Sequence, residues 1–267
     1  MGAGSVRRSS TGGQTRHAWS AAAKAVAFEG YRSIILDLRG HGESDWAPDG
    51  DYSLGAIARD LVEVGESVAV GRPRPHVVGA SLGGLAAIVA AGMFARDAFE
   101  SVTLVDITPN MDAAGVTKVV GFMGAHVKEG FASLEQAADV VATYLPHRPR
   151  PKDLEGLRKN LRQGEDGRWR WHWDPAFITG VTRRSGVART SELEQAVRNI
   201  RVPLHLIRGR VSELVSEDSV AAFRSLAPRA HFTDVAGARH MVAGDCNDLF
   251  VEAVVSFLRP IREQTPA

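Results

Sequence analysis

Residues 76–87 read HVVGASLGGLAA. The stretch opens with an apolar, β-branched run, closes on small helix-compatible residues, and holds Gly79-Ala80-Ser81-Leu82-Gly83 between them. The run is short enough for a buried strand, and the residues after Ser81 favour a helix. A passage this abrupt from strand to helix forces the middle residue into strained backbone, and small residues two before and two after it relieve the crowding. Ser81 is then lifted above the carboxyl edge of a sheet, where the free N–H groups of the following helix favour negative charge. A serine in a merely glycine-rich turn would show the same five letters. The strand and helix patterns on either side separate the two readings.

The same alternation continues in both directions. YRSIILDL (31–38), PHVVGA (75–80), SVTLVDI (101–107), VPLHLIRG (202–209) and AHFTDVAG (230–237) read as buried parallel strands. Helical patterns cover 16–29, 53–69, 83–96, 216–227 and 247–258, with Ser53 and Ser216 placed as N-caps. This order predicts an α/β fold with a mostly parallel, doubly wound sheet. Residues 108–199 break the rhythm with SLEQAADVVATYL (133–145), DLEGLRKNL (153–161) and SELEQAVRNI (191–200). They are expected to form a helical cap inserted into a core of 1–107 and 200–267, at the strand ends where α/β folds bind ligands.

Composition narrows the classes. Hydrophobic residues make up 44% of 267, which fits a globular chain, and Lys plus Arg (32) nearly balance Asp plus Glu (31). Neither nucleic acid nor an anionic membrane is expected as a partner. The single cysteine, Cys246, excludes an internal disulfide and fits a reducing, cytoplasmic setting. No apolar run approaches the roughly 18 residues of a membrane span, and Arg7-Arg8 are followed by no signal-like apolar stretch.

A serine hydroxyl is a weak nucleophile until a base takes its proton. Of nine histidines, His240 in DVAGARHMVAGD (234–245) is best placed, in a loop after the last strand. His205 and His76 lie in strands, His172 lies among tryptophans, and His41 in LRGHGESD is a supporting residue. An acid must then fix the imidazole tautomer. Chain order favours Glu213, after the strand 202–209, with Asp106 at the end of the strand 101–107 as the alternative. Trp169, Trp171 and Trp173 alternate in RWRWHWDP (168–175), either walling a substrate pocket or packing the cap. Cys246 is expected to pack.

Together LDLRGHGESD, VVGASLGG, LVDITP, RGRVSELVS and AGARHMVAGD resemble the α/β-hydrolase fold superfamily, in its cap-bearing branch of small bacterial serine hydrolases, over about Gly12 to Leu258. The resemblance implies Ser81 as nucleophile, His240 as base and Glu213 at the acid position. It implies an oxyanion pocket formed by the amides of Leu82 and of Gly12 or Gly13. It implies a small ester, thioester or lactone as substrate, with no cofactor and no metal. Perhydrolysis, read out as metal-free haloperoxidase activity, and C–C bond hydrolysis use the same triad, and a catalytically impaired binding member shares the fold.

The segment SVRRSSTGGQ (5–14) departs from the family pattern. Ser10 and Thr11 stand where the oxyanion loop carries His and Gly, and Val6 is the only large apolar residue among residues 4–11. Burying Arg7 or Arg8 unpaired would cost several kcal/mol, on the order of 3–5. The N-terminal edge strands are therefore expected to be missing or altered, with this segment frayed or bound at an exposed edge. An open edge leaves a homodimer as an available assembly.

Overall fold

The computed structural model describes residues 5–9, 14–150, 152–183 and 187–264. In chain order the elements are β1 (Ser5–Ser9), a 3-10 turn (Arg16–Trp19), α1 (Ser20–Phe28), β2 (Arg32–Leu36), α2 (Leu54–Ala69), β3 (His76–Ala80) and α3 (Leu82–Val89). A π turn (Ala90–Phe94) leads to β4 (Ser101–Val105), α4 (Ala113–Gly124), α5 (Leu134–Tyr144), α6 (Glu155–Arg158), β5 (Leu161–Gln163) and β6 (Trp169–Trp171). The chain continues through α7 (Pro175–Arg183), α8 (Val187–Asn199), β7 (Leu204–Gly209), α9 (Glu217–Leu226), β8 (His231–Val235), α10 (Val242–Asp245) and α11 (Asn247–Gln264). Ser53 and Ser216 cap their helices as expected, accepting from the amides of Ala56 and Ser219.

Six parallel strands form one sheet in the order β2-β1-β3-β4-β7-β8. Successive strand residues serve opposite faces. Val77, Leu104 and Leu206 join a core with Ile57 and Leu61 of α2, Ala86 and Ile88 of α3, and Phe223 of α9. Their neighbours Val78, Val105 and Ile207 join a second core with Val26 of α1 and Phe250, Val254 and Leu258 of α11. This two-sided burial is why the strands read as continuous apolar runs rather than alternating ones. Among the described residues, no helix is long and apolar enough to cross a membrane.

The N-terminal segment corrects the sequence reading. Residues Ser5–Ser9 are not at an exposed edge: they pair in parallel with both β2 and β3, Val6 opposite Ser33 and His76, Ser9 opposite Leu36 and Gly79. The expectation weighed side chains, whereas pairing is a main-chain matter. Without a strand in this place, β2 and β3 would each leave a row of amides and carbonyls unpaired inside the sheet. Beyond β2 no further strand is paired among the described residues.

The insertion also differs from the expected cap at its far end. Leu193, Ala196 and Val197 of α8 belong to the α2–α3 core. Gly92 permits this approach, since a Cβ there would overlap the Ala196 carbonyl. The part standing apart from the sheet layers is α4 to α7, with its own cluster of Met123, Phe131, Ala137, Leu161, Trp171, Trp173 and Phe177, joined by Tyr52. The expected helix at 153–161 is only one turn. It gives way to the antiparallel hairpin β5–β6, closed by a Gly164 amide to Arg168 carbonyl bond of 2.9 Å.

Four histidines lie buried in this framework, His41, His76, His172 and His205. Burial pushes His41 and His76 from 6.5 down to about 4, and pushes His205 down to about 3, with His231 adding to the last. The unfolded chain takes up these protons near pH 6.5 and the folded chain does not. Their neutral burial is therefore fully tolerated above that value, and stability is lost as the pH falls from about 6.5 towards 4, by up to ~1.4 kcal/mol per pH unit per histidine. Urea unfolding at pH 7, 6 and 5 is expected to show a steep decline, and a flat profile would contradict it.

Candidate active site

The elbow is built as its sequence requires. Ser81 has φ 47° and ψ −120°, outside the ordinary regions for a residue with a side chain. Two glycines make room for it. A Cβ on Gly79 would lie 2.5 Å from the Gly83 carbonyl oxygen, and one on Gly84 would overlap Ile107. The second requirement falls one residue beyond the five-letter motif. Leu82 opens α3 and packs against both the sheet core and the cap cluster. Its amide therefore sits at a helix N-terminus, the ordinary place for an anion.

The neighbouring strand ends converge on the same rim. The Ser81 amide donates to the Val105 carbonyl at 3.4 Å, and the Asp106 amide to the Ile207 carbonyl at 2.7 Å. Asp106 follows β4 directly, is fully buried, and also has a positive φ of 49°. Its Oδ1 accepts from the Gly209 amide at 3.0 Å. Its Oδ2 accepts from Ser212 Oγ at 2.5 Å and pairs with His240 Nδ1 at 2.9 Å.

His240 is held from several directions. The Val211 amide donates to the Ala238 carbonyl at 3.0 Å. The Arg239 amide donates to Asp245 Oδ2 at 2.9 Å, while Arg148 from the insertion donates to Asp245 Oδ1. A side chain at Gly209 would overlap the Arg239 carbonyl, so the His240 loop lies directly over the end of β7. Cys246 is partly buried nearby and points its thiol at the Ala236 carbonyl, a packing role.

Glu213, the acid favoured from chain order, is not brought to His240. Its side chain faces Lys118 of α4 at 3.7 Å, and its carbonyl abuts Gly115. The reason is local. Ser212, one residue earlier, turns inward to Asp106, and the next side chain is thereby directed to the insertion. The carboxylate that pairs with His240 is that of the alternative, Asp106. Neither Ser212 nor Gly209 was singled out by sequence reasoning, since a serine and a strand-terminal glycine carry no distinctive signal there.

The other expected residues are distributed as follows. Gly12 and Gly13 lie outside the described residues. Trp171 and Trp173 are buried and stacked on each other, with centroids 4.9 Å apart and 11° between planes. The Trp171 indole N–H donates to the Ala125 carbonyl at 3.1 Å. Trp169 is half-buried, with Arg158 over its ring. Trp171 and Trp173 thus belong to the insertion's own cluster, which also meets Leu82. His41 bonds the Arg39 carbonyl through Nδ1 and lies edge-on to Phe177 at 4.6 Å, and the Gly42 amide donates to His172 Nδ1 at 2.7 Å. These contacts fasten the loop after β2 to the insertion. No group of three or more His, Cys, Asp or Glu residues among the described residues is arranged to hold a metal.

A parallel doubly wound sheet, a strained serine between β3 and α3, and a histidine–carboxylate pair on the adjoining strand ends define an α/β hydrolase. Residues 10–245 match the family model of the alpha/beta hydrolase fold, and the chain belongs to that family. It is an enzyme, a hydrolase of the carboxylic ester hydrolase-like kind. It is similar to an esterase of Mycobacterium tuberculosis, 29% identical over 250 residues that span 91% of this chain and 78% of the relative. A solved structure of that esterase covers 97% of this chain and 86% of its own, with TM-score 0.73 and 29% identity. It is also similar to a 2-(acetamidomethylene)succinate hydrolase of Mesorhizobium japonicum, 27% identical over 231 residues, 85% of this chain and 78% of that protein.

Proposed function

We propose that this chain hydrolyses small carboxylic esters, thioesters or lactones through an acyl-enzyme on Ser81, with His240 as base and Asp106 as the acid that orients it. The observation that carries the reading is the His240 Nδ1–Asp106 Oδ2 bond of 2.9 Å on the rim where the Ser81 elbow stands. With Nδ1–H committed to a carboxylate, Nε2 of the neutral imidazole carries the lone pair and takes the Ser81 proton. Ser81 Oγ then bonds the carbonyl carbon, and the oxyanion faces the Leu82 amide at the head of α3. Collapse breaks the bond to the leaving oxygen or sulfur, which takes the proton from His240. Water repeats the sequence on the acyl-enzyme and frees the acid. The apolar cluster that meets Leu82 supports an acyl portion that is itself apolar.

A fluorophosphonate probe and p-nitrophenyl esters of rising chain length test this. Labelling should map to Ser81 by mass spectrometry, with turnover greatest on short to medium acyl chains. A chain that neither labels nor turns over any ester would be a binding member of the fold instead.

A further inference from the structure

We infer that Ser212 is a positioning residue of the active site, holding the Asp106 carboxylate aimed at His240. The inference rests on the triad reading above and extends it to a residue outside the triad. Three donors converge on the Asp106 carboxylate: the Gly209 amide on Oδ1, and the Ser212 hydroxyl and His240 on Oδ2. The Ser212 bond is the shortest of them at 2.5 Å, and it falls on the oxygen that His240 uses.

The Ser212 hydroxyl has no freedom to turn away. Its oxygen accepts from the Leu214 amide at 3.0 Å and from the Val215 amide at 3.3 Å. Those bonds occupy its acceptor side, so its one proton is directed at Asp106. The arrangement is a relay, from two main-chain N–H groups to the hydroxyl and from the hydroxyl to the carboxylate. Each link polarises the next.

Asp106 needs such support. It is fully buried, and a buried carboxylate without donors takes up a proton rather than remain charged. A protonated Asp106 neither fixes the His240 tautomer nor stabilises the imidazolium that forms as Ser81 attacks. With one donor fewer, the carboxylate is free to turn away from His240, and the imidazole loses its fixed tautomer.

The turn that supplies Ser212 is itself fixed by the insertion. The Asp112 amide, at the cap of α4, donates to the Leu214 carbonyl at 2.9 Å, and a Cβ on Gly115 would overlap the Glu213 carbonyl. The relay therefore starts on main chain that α4 holds in place.

The test uses Ser212→Ala, Ser212→Thr and Ser212→Val, compared on one p-nitrophenyl ester across pH 5–9. Ser212→Ala is expected to lower kcat by roughly 10- to 100-fold, the range for a hydrogen bond to a charged group, with KM little changed. Ser212→Thr keeps the hydroxyl and should restore the rate, whereas Ser212→Val, of the same shape, should not. If Ser212→Ala fails to fold, the Thr and Val pair decides the matter alone. Wild-type kcat in Ser212→Ala, or equal behaviour of Thr and Val, would overturn the proposal. Asp106→Asn measured alongside separates the two readings. If that variant is inactive while Ser212→Ala is normal, only the role of Ser212 falls. If Asp106→Asn is fully active, the triad assignment itself falls.

Discussion

Ser81→Ala is expected to lose fluorophosphonate labelling completely and to lower ester turnover by roughly 10⁴- to 10⁶-fold, the range seen when a triad serine is removed. The elbow geometry makes this a clean experiment. The hydroxyl makes no contact that the sheet depends on, while the Ser81 amide and carbonyl are engaged with Val105 and Leu85 and survive the substitution. Alanine tolerates a φ of 47° no better than serine does, so the melting temperature should hardly move. Ser81→Gly adds a control, because glycine adopts that backbone without strain. It should be as inactive as Ser81→Ala and more stable by about 1 kcal/mol. Retained labelling in either variant would place the nucleophile elsewhere.

The second large effect separates the two acids. Asp106→Asn keeps the size of the side chain and removes its charge. An amide facing His240 allows the other tautomer, in which Nε2 carries the proton and cannot accept one from Ser81. The expected loss is about 10⁴-fold in kcat. Glu213→Gln breaks a 3.7 Å pairing with a half-exposed lysine and nothing else of that kind. Ion pairs of this type contribute on the order of 0–1 kcal/mol, so its rate should stay within a few-fold of the natural chain. Steady-state kinetics on one ester ranks the two, and the reverse order would return the acid role to Glu213.

The two acids also mark where sequence reading ended. The five strands read as apolar runs, the Ser53 and Ser216 caps, the serine elbow and the His240 loop were all legible. Each is written in local pattern: burial on both faces, a side-chain oxygen before a helix, small residues around a forced turn. The carboxylate partner of His240 was not legible, because Asp106 and Glu213 both follow strands in the correct chain order. What decides between them is which side chain turns inward. That depends on a main-chain bond from Gly209 and on the hydroxyl of Ser212, neither of which leaves a mark in composition or spacing. β1 was misread for a related reason. Its polar side chains argued against a place inside the sheet, while its position follows from the amides and carbonyls of β2 and β3, which the letters of residues 5–9 do not reveal. The tryptophan alternation was visible and ambiguous; in the structure Trp171 and Trp173 stack in the insertion while Trp169 stays half-buried.

The attachment of the insertion has a consequence for how it moves and how it changes. Both of its ends are clamped by contacts too close for any side chain, Gly115 against the turn after β7 and Gly92 against α8. An arch fixed at both abutments cannot swing like a door. It can only flex at its crown, between α4 and α7. Displacement is then confined to that span, with the clamped ends left in place. The same anchoring makes the crown exchangeable: its helices and hairpin can be altered in length or composition while the serine, the histidine and the buried carboxylate keep their register.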